Sequence, residues 1–340
     1  MDGDTRGLGS RVMDGLGRPP RRLFVLGAGA AGLAVLVDRG LRLDTPPPPP
    51  PVPTRRPAPD EALLLSAVAD LDRVVAAETS VLAGDEGGAL VRRLRTVNRE
   101  QLRVLRGRLT NAGVPTSVIN AAVAAGPVAP PQTGSTGTPS PTAAGRGSGT
   151  GSGSDKPVRT RKALAALLDS LGPEDWAALT TATADTRELL AAAYGQRLAG
   201  AVLLGREVAV SSPSPVRSEV VARTQPLVYA FEVVAAQSEG DQRSTAEDTL
   251  AALVRLDIAV SGSSSETPAG WALPFAVTTP EAAGRLATET LSAAVNAGTE
   301  VAGPQPSAAS LEDVARWSAN LQALAVDWDV PLTAFPGATP

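Results

Sequence analysis

Three features of this 340-residue chain predict an all-α fold. Apolar residues recur at three- and four-residue steps in every stretch rich enough in them to build a core, which is the period of a helix with one buried face. Only 3% of the residues are aromatic, the apolar content is mostly Ala, Leu and Val, and no stretch alternates cleanly as a strand would. Blocks of Pro, Gly, Ser and Thr separate the periodic stretches and read as linkers. A hydrophobic content of 43% is enough for real cores, and the length leaves room for two helical domains.

The residue types that are missing narrow the chemistry. Without cysteine there is no disulfide, thiolate metal site, nucleophilic thiol or lipoprotein anchor. Without histidine, serine–histidine catalysis, histidine-ligated zinc and Glu-x-x-His di-iron ligation cannot be assembled from this chain. The formal charge of −4 is unevenly spread: residues 55–111 hold 10 Arg against 8 acids, whereas residues 216–340 hold 15 acids against 6 Arg. The acidic C-terminal region argues against nucleic acid as a partner.

Residues 1–22 form a basic n-region with five Arg against three acids, ending in Pro-Pro-Arg21-Arg22. Residues 23–37, Leu-Phe-Val-Leu-Gly-Ala-Gly-Ala-Ala-Gly-Leu-Ala-Val-Leu-Val, then have the shape of a secretory signal or signal anchor. Arg21-Arg22-Leu-Phe-Val-Leu resembles a twin-arginine export motif. No small-x-small cleavage site follows, so an uncleaved membrane anchor is one expected outcome, with everything after Val37 outside the cytoplasm. Gly27, Gly29 and Gly32 mimic a dinucleotide-binding fingerprint. The context argues against it, because only 12 residues separate Gly32 from Asp44, six prolines follow at 46–51, and no strand–helix alternation comes after. No cofactor is expected.

Residues 38–59 are a Pro-rich spacer of polyproline type. Residues 60–111 form a helical hairpin, with Leu64, Ala67, Leu71, Val74, Glu78 and Val81 on the first seam and Leu90, Leu94, Val97, Gln101 and Val104 on the second. Glu78 and Gln101 thereby occupy positions that ought to be buried. Glu78 reads either as a remnant bundle carboxylate of the di-iron kind or as a carboxylate at a bundle end paired with arginine. Residues 112–159 are expected to be a disordered linker whose Ser/Thr/Pro content would suit O-glycosylation. Residues 160–210 supply a second hairpin, with helices over 161–171 and 173–204, that completes a first bundle across the linker. The joint to the next bundle falls at 211–215.

In residues 213–335 four more helical patterns follow. Val220, Val221, Leu227, Val228, Phe231, Val234 and Ala235 mark the first, where Pro226 should kink the helix or delay its start. Leu250, Leu253, Val254 and Ile258 mark the second. Thr279 N-caps the third with Pro280 at N1, and Ala283, Leu286, Ala287, Leu291, Ala294, Val295 and Val301 lie on one face. Ser310 starts the fourth, whose seam is Val314, Trp317, Leu321, Leu324 and Trp328, and Pro331 stops it.

The segments Tyr229-Ala-Phe-Glu-Val-Val-Ala-Ala-Gln and Trp271-Ala-Leu-Pro-Phe-Ala-Val-Thr-Thr-Pro resemble the ferritin-like domain of unknown function found in exported actinobacterial proteins. In that family a helix pair, a Tyr-Ala-Leu-Pro-Phe-Pro-Val turn and a second helix pair make a four-helix bundle. The resemblance implies that the family's upstream acid–histidine pair is replaced here by Thr224-Gln225, and that a basic position, often histidine, is Arg243. Glu232 and Glu289 remain as carboxylates, and both are expected at the surface, so no metal or catalytic residue is assigned. The expectation is a non-catalytic, exported or membrane-anchored bundle that binds an envelope protein or ligand or plays a structural role. A carboxylate-only metal-binding oxidase is the alternative.

Overall fold

The structure is a computed structural model and describes residues 55–84, 86, 88–126, 158–210, 217–261, 270–302, 304 and 307–339. The segment 23–37, the glycines at 27, 29 and 32, the spacer up to residue 54, the linker portion 127–157 and the joint 211–215 lie outside the described residues. Among the described residues the chain is all-helical, with a bundle-like architecture and no strand. None of these helices is long and apolar enough to cross a membrane.

The hairpin expected at 60–111 is α1 (Glu61–Leu82) and α2 (Ala89–Asn111). All six predicted seam residues of α1 are buried, Glu78 included. On α2 the seam is rotated from the expected one: Leu94, Val97 and Gln101 are buried, but Val91, Asn98, Leu105 and Leu109 face inward with them, and Leu90 and Val104 sit at the edge. The true stripe repeats Val91, Asn98 and Leu105 every seven residues, and a polar residue in its middle hid it.

A helix, α3 (Thr116–Ala125), forms inside the stretch 112–159 expected to be linker. Gly113 at φ 79 ends α2, and Val114 and Ile119 are buried, so this short helix closes one side of α1. The region 161–204 breaks twice rather than once, into α4 (Arg161–Leu168), α5 (Pro173–Thr180) and α6 (Ala184–Leu203). The second break falls at Thr181-Ala-Thr183, where hydroxyls compete for the backbone. Thr183 donates both its N–H and its Oγ1 to Asp60 at the start of α1, and Arg187 donates to the carbonyls of Leu179 and Ala182.

Beyond these come α7 (Arg217–Gln237), α8 (Gly240–Ser261), α9 (Pro280–Ala302) and α10 (Ala308–Val326). Helix α7 continues through Pro226, so its start is not delayed. Its deepest stripe is Val220, Thr224, Leu227, Phe231 and Val234, with Val221, Val228 and Ala235 on the flank. On α8 the expected stripe is displaced. Ala246, Thr249, Leu253, Leu256 and Val260 are buried, whereas Val254 and Ile258 are exposed, Ile258 at 58%. Thr279 caps α9 as expected by accepting the Ala282 N–H. Helix α10 starts earlier than expected: Ser307 is its cap, accepting the Ser310 N–H at 3.1 Å, and Ser310 itself is buried. It also ends before Pro331, at Val326, where Asp329 turns left-handed (φ 59) and the Val330 N–H bonds back to Ala325.

The described residues from 57 onward make one compact unit, and α6 is the reason. Thirteen consecutive residues from Leu189 to Ala201 are buried, a run possible only for a helix covered on every side. Its most extensive partner is α10, from the region expected to be a separate bundle, and it also touches α9, α4, α5 and α2. The α6–α10 approach is close: a side-chain carbon on Gly195 would stand 3.6 Å from the Ala315 carbonyl. The two halves that the sequence divides at 211–215 therefore share a core. Among the last four helices, α7 packs on α8 and α9, and α9 on α10, while α8 barely reaches α10.

Candidate functional site

The residues with the most unusual chemistry are polar side chains sealed where α1, α2, α6 and the C-terminal tail meet. Glu78 is completely buried and accepts the Asn98 Nδ2 hydrogen at 2.6 Å. Burial pushes its carboxyl up to about 8, against the smaller opposing effects of the Asn98 hydrogen bond and the positive charges of Arg95 and Arg99. The expected arginine pairing is not found: Asn98 is its partner, and Arg95 and Arg99 act only at a distance. Its Oε2 and the Asn98 Oδ1 have no hydrogen-bond partner. Sealed from solvent and with its carboxyl pushed up by burial, Glu78 reads as a packed, largely neutral acid.

One turn further along α2, Gln101 Nε2 donates to Gln196 Oε1 on α6 at 3.0 Å and to the Ala334 carbonyl of the tail at 2.6 Å. This amide joins three distant parts of the chain. Nearby on α6, buried Arg197 pairs with Asp70 of α1 and donates to the carbonyls of Leu167 and Leu168 and to Ser170, so its charge is fully bonded.

The positions singled out by the ferritin-like resemblance do not converge on a cation. Thr224 is fully buried and accepts the Trp317 Nε1 hydrogen at 3.0 Å while donating to Val220, so its hydroxyl is spent on packing α7 against α10. Thr249 does the same for Trp328 at 3.1 Å, tying α8 to the end of α10. Arg243 is exposed and donates to the carbonyls of Ala236 and Ser238, closing the C-terminus of α7. Glu232 and Glu289 are both at the surface, Glu289 within 3.8 Å of Arg285. Among the described residues no group of three His, Cys, Asp or Glu side chains could hold a metal ion. Among the described residues, the carboxylates the resemblance leaves, Glu232 and Glu289, do not gather into the donor set of a di-iron centre.

The weak α8–α10 edge leaves a half-open groove of about 350 Å³. Val202, Val208 and Val210 form one wall and Leu256 and Leu324 the others, with Glu207, Arg255 and Asn320 at the polar positions. Asn320 is committed to holding this wall, donating to the Val208 and Arg316 carbonyls. An apolar cleft of this size with few polar groups is the usual form of a small-ligand or side-chain-binding site. Sequence reasoning missed it because its wall, residues 202–210, carries no periodic signal. Comparison with known protein families, curated proteins and solved structures yields no match to this chain.

Proposed function

We propose that this chain is a non-catalytic, ferritin-like helical-bundle protein, exported and held at the cell envelope through residues 23–37, where it works by binding. The observation that carries the non-catalytic reading is the Thr224–Trp317 hydrogen bond: a position where the resemblance implies a metal-binding side chain is spent on helix packing. The pairing of α7 with α8 and of α9 with α10, joined by the Trp271-to-Pro280 crossover, supports the ferritin-like order of elements. The groove along residues 202–210 supports binding of an apolar ligand or of a partner's side chains.

Fractionation of the native host tests the location. The full-length chain belongs with the membrane or outside it, and Arg21→Lys with Arg22→Lys should retain it in the cytoplasm. A wild-type chain found soluble in the cytoplasm would overturn the proposal, whereas unchanged export of the double variant removes only the twin-arginine route. Metal analysis of the purified protein separates binding from the carboxylate-only oxidase. Under about 0.2 equivalents of iron or manganese is expected after dialysis, since too few charged donors converge. A stoichiometric metal lost on Glu232→Gln would move the protein to the oxidase class.

A further inference from the structure

We propose that one face of α2 is a docking surface for the phosphate headgroups of an anionic lipid bilayer, an inference that rests on the envelope location proposed above. Arg92, Arg95, Arg99, Arg103 and Arg106 follow one another at steps of three, four, four and three residues. At about 100° per residue they share a strip about 80° wide, and at 1.5 Å per residue it runs for about 21 Å. Arg92, Arg99 and Arg103 are exposed and Arg95 and Arg106 half-buried, with exposed Arg93 beside them.

Only the C-terminal end of this strip is neutralised. Arg103 pairs with Glu100 at 2.5 Å and Arg106 with Asp72 at 3.3 Å. Arg92, Arg93, Arg95 and Arg99 make no ion pair or side-chain hydrogen bond among the described residues. The acid that Arg95 and Arg99 face is Glu78, which is buried and mostly protonated at neutral pH, so it cancels little of their charge. Guanidinium groups are suited to phosphate because their planar donors bond two oxygens at once.

The charge distribution favours a flat surface over a flexible polyanion. Residues 216–340 carry 15 acids against 6 Arg, so a nucleic acid extending past the strip toward them meets repulsion. A bilayer touched along one helix does not. The strip holds no exposed aromatic or long aliphatic side chain: its other exposed positions are Thr96, Glu100 and Thr110. Attachment is therefore electrostatic and without insertion, and it weakens as salt shortens the Debye length. A chain tethered through residues 23–37 would keep α2 at high effective concentration near lipid, so modest intrinsic affinity suffices.

The test is sedimentation of the purified full chain with phosphatidylcholine vesicles, with or without about 30% phosphatidylglycerol, reading the excess binding that the anionic lipid confers. The excess should be present at low salt and vanish near 0.5 M NaCl, where screening reaches only about 4 Å. Arg92→Gln with Arg95→Gln and Arg99→Gln should lower the partition coefficient about 100-fold. The three lysine replacements should keep most of it, as should glutamine at Arg223, Arg243 and Arg285. Matching near-ultraviolet circular dichroism confirms that each variant is folded. No excess, an excess surviving the three α2 glutamines, an equal loss in the control triple, or single-stranded DNA displacing the protein from vesicles through the same arginines would each overturn the proposal. Because vesicle binding is measured on purified protein, its failure is distinct from a failure of export.

Discussion

Glu78→Gln should make the protein more stable at neutral and alkaline pH and leave it nearly unchanged in acid. The carboxyl titrates near 4.5 in an unfolded chain and at about 8 in the folded one, burial being the main cause. Between those values the folded state holds a proton that the unfolded state has released, so stability falls by about 1.4 kcal/mol for each pH unit of rise. The stabilisation is complete below 4.5 and lost as pH passes 8. At pH 7.5 the accumulated loss is about 3–5 kcal/mol. Glutamine keeps the shape and the acceptor for Asn98 Nδ2, and its own amide supplies a donor toward the unpartnered Asn98 Oδ1. It carries no charge to desolvate. The charged groups facing this position are Arg95 and Arg99. The window is unusually clear because the chain has neither histidine nor cysteine. Urea melts followed by the fluorescence of buried Trp176, Trp317 and Trp328 between pH 5 and 9 measure the difference directly. Two parallel pH profiles, with the gap between variant and wild type constant within about 0.5 kcal/mol, would refute a proton held by Glu78.

Three further outcomes follow from the packing. Thr224→Val keeps the side-chain volume but removes the acceptor of the buried Trp317 N–H, and denaturant melts should show a loss of about 1–3 kcal/mol. Gly337→Ala places a carbon 2.0 Å from the Asn296 carbonyl in a residue held at φ 75, so the tail should lift. Hydrogen exchange should then rise at residues 330–339 and fall back only if glycine is restored. A chain beginning at residue 213 should fail to fold cooperatively, because α10 loses α6, its most extensive partner. A sharp urea transition with native near-ultraviolet dichroism in that fragment would show that residues 213–340 are self-sufficient.

The all-helical class was legible because a helix with one buried face prints its period on the sequence, and α1 and α9 were readable residue by residue for that reason, whereas Leu324 of the seam expected on α10 is only half-buried. So was the Thr279-Pro280 start, a local signal that needs no tertiary partner. Periodicity does not say which helix covers a face. Helix α6 is rich in small and apolar residues but also carries Gln196 and Arg197, and nothing in its sequence distinguishes the second arm of a hairpin from a helix buried on every side. On α2 the buried Asn98 disguised the true stripe, since an amide is acceptable in a core only when its partner, here Glu78, comes from another helix. On α8 the exposed Val254 and Ile258 imitate a buried stripe, while Ala246 and Thr249 do the packing. Composition alone determined that no histidine or thiolate chemistry is available. Whether the remaining polar groups gather into a site was decided by the tertiary structure, because convergence depends on interhelical distances that no local pattern encodes.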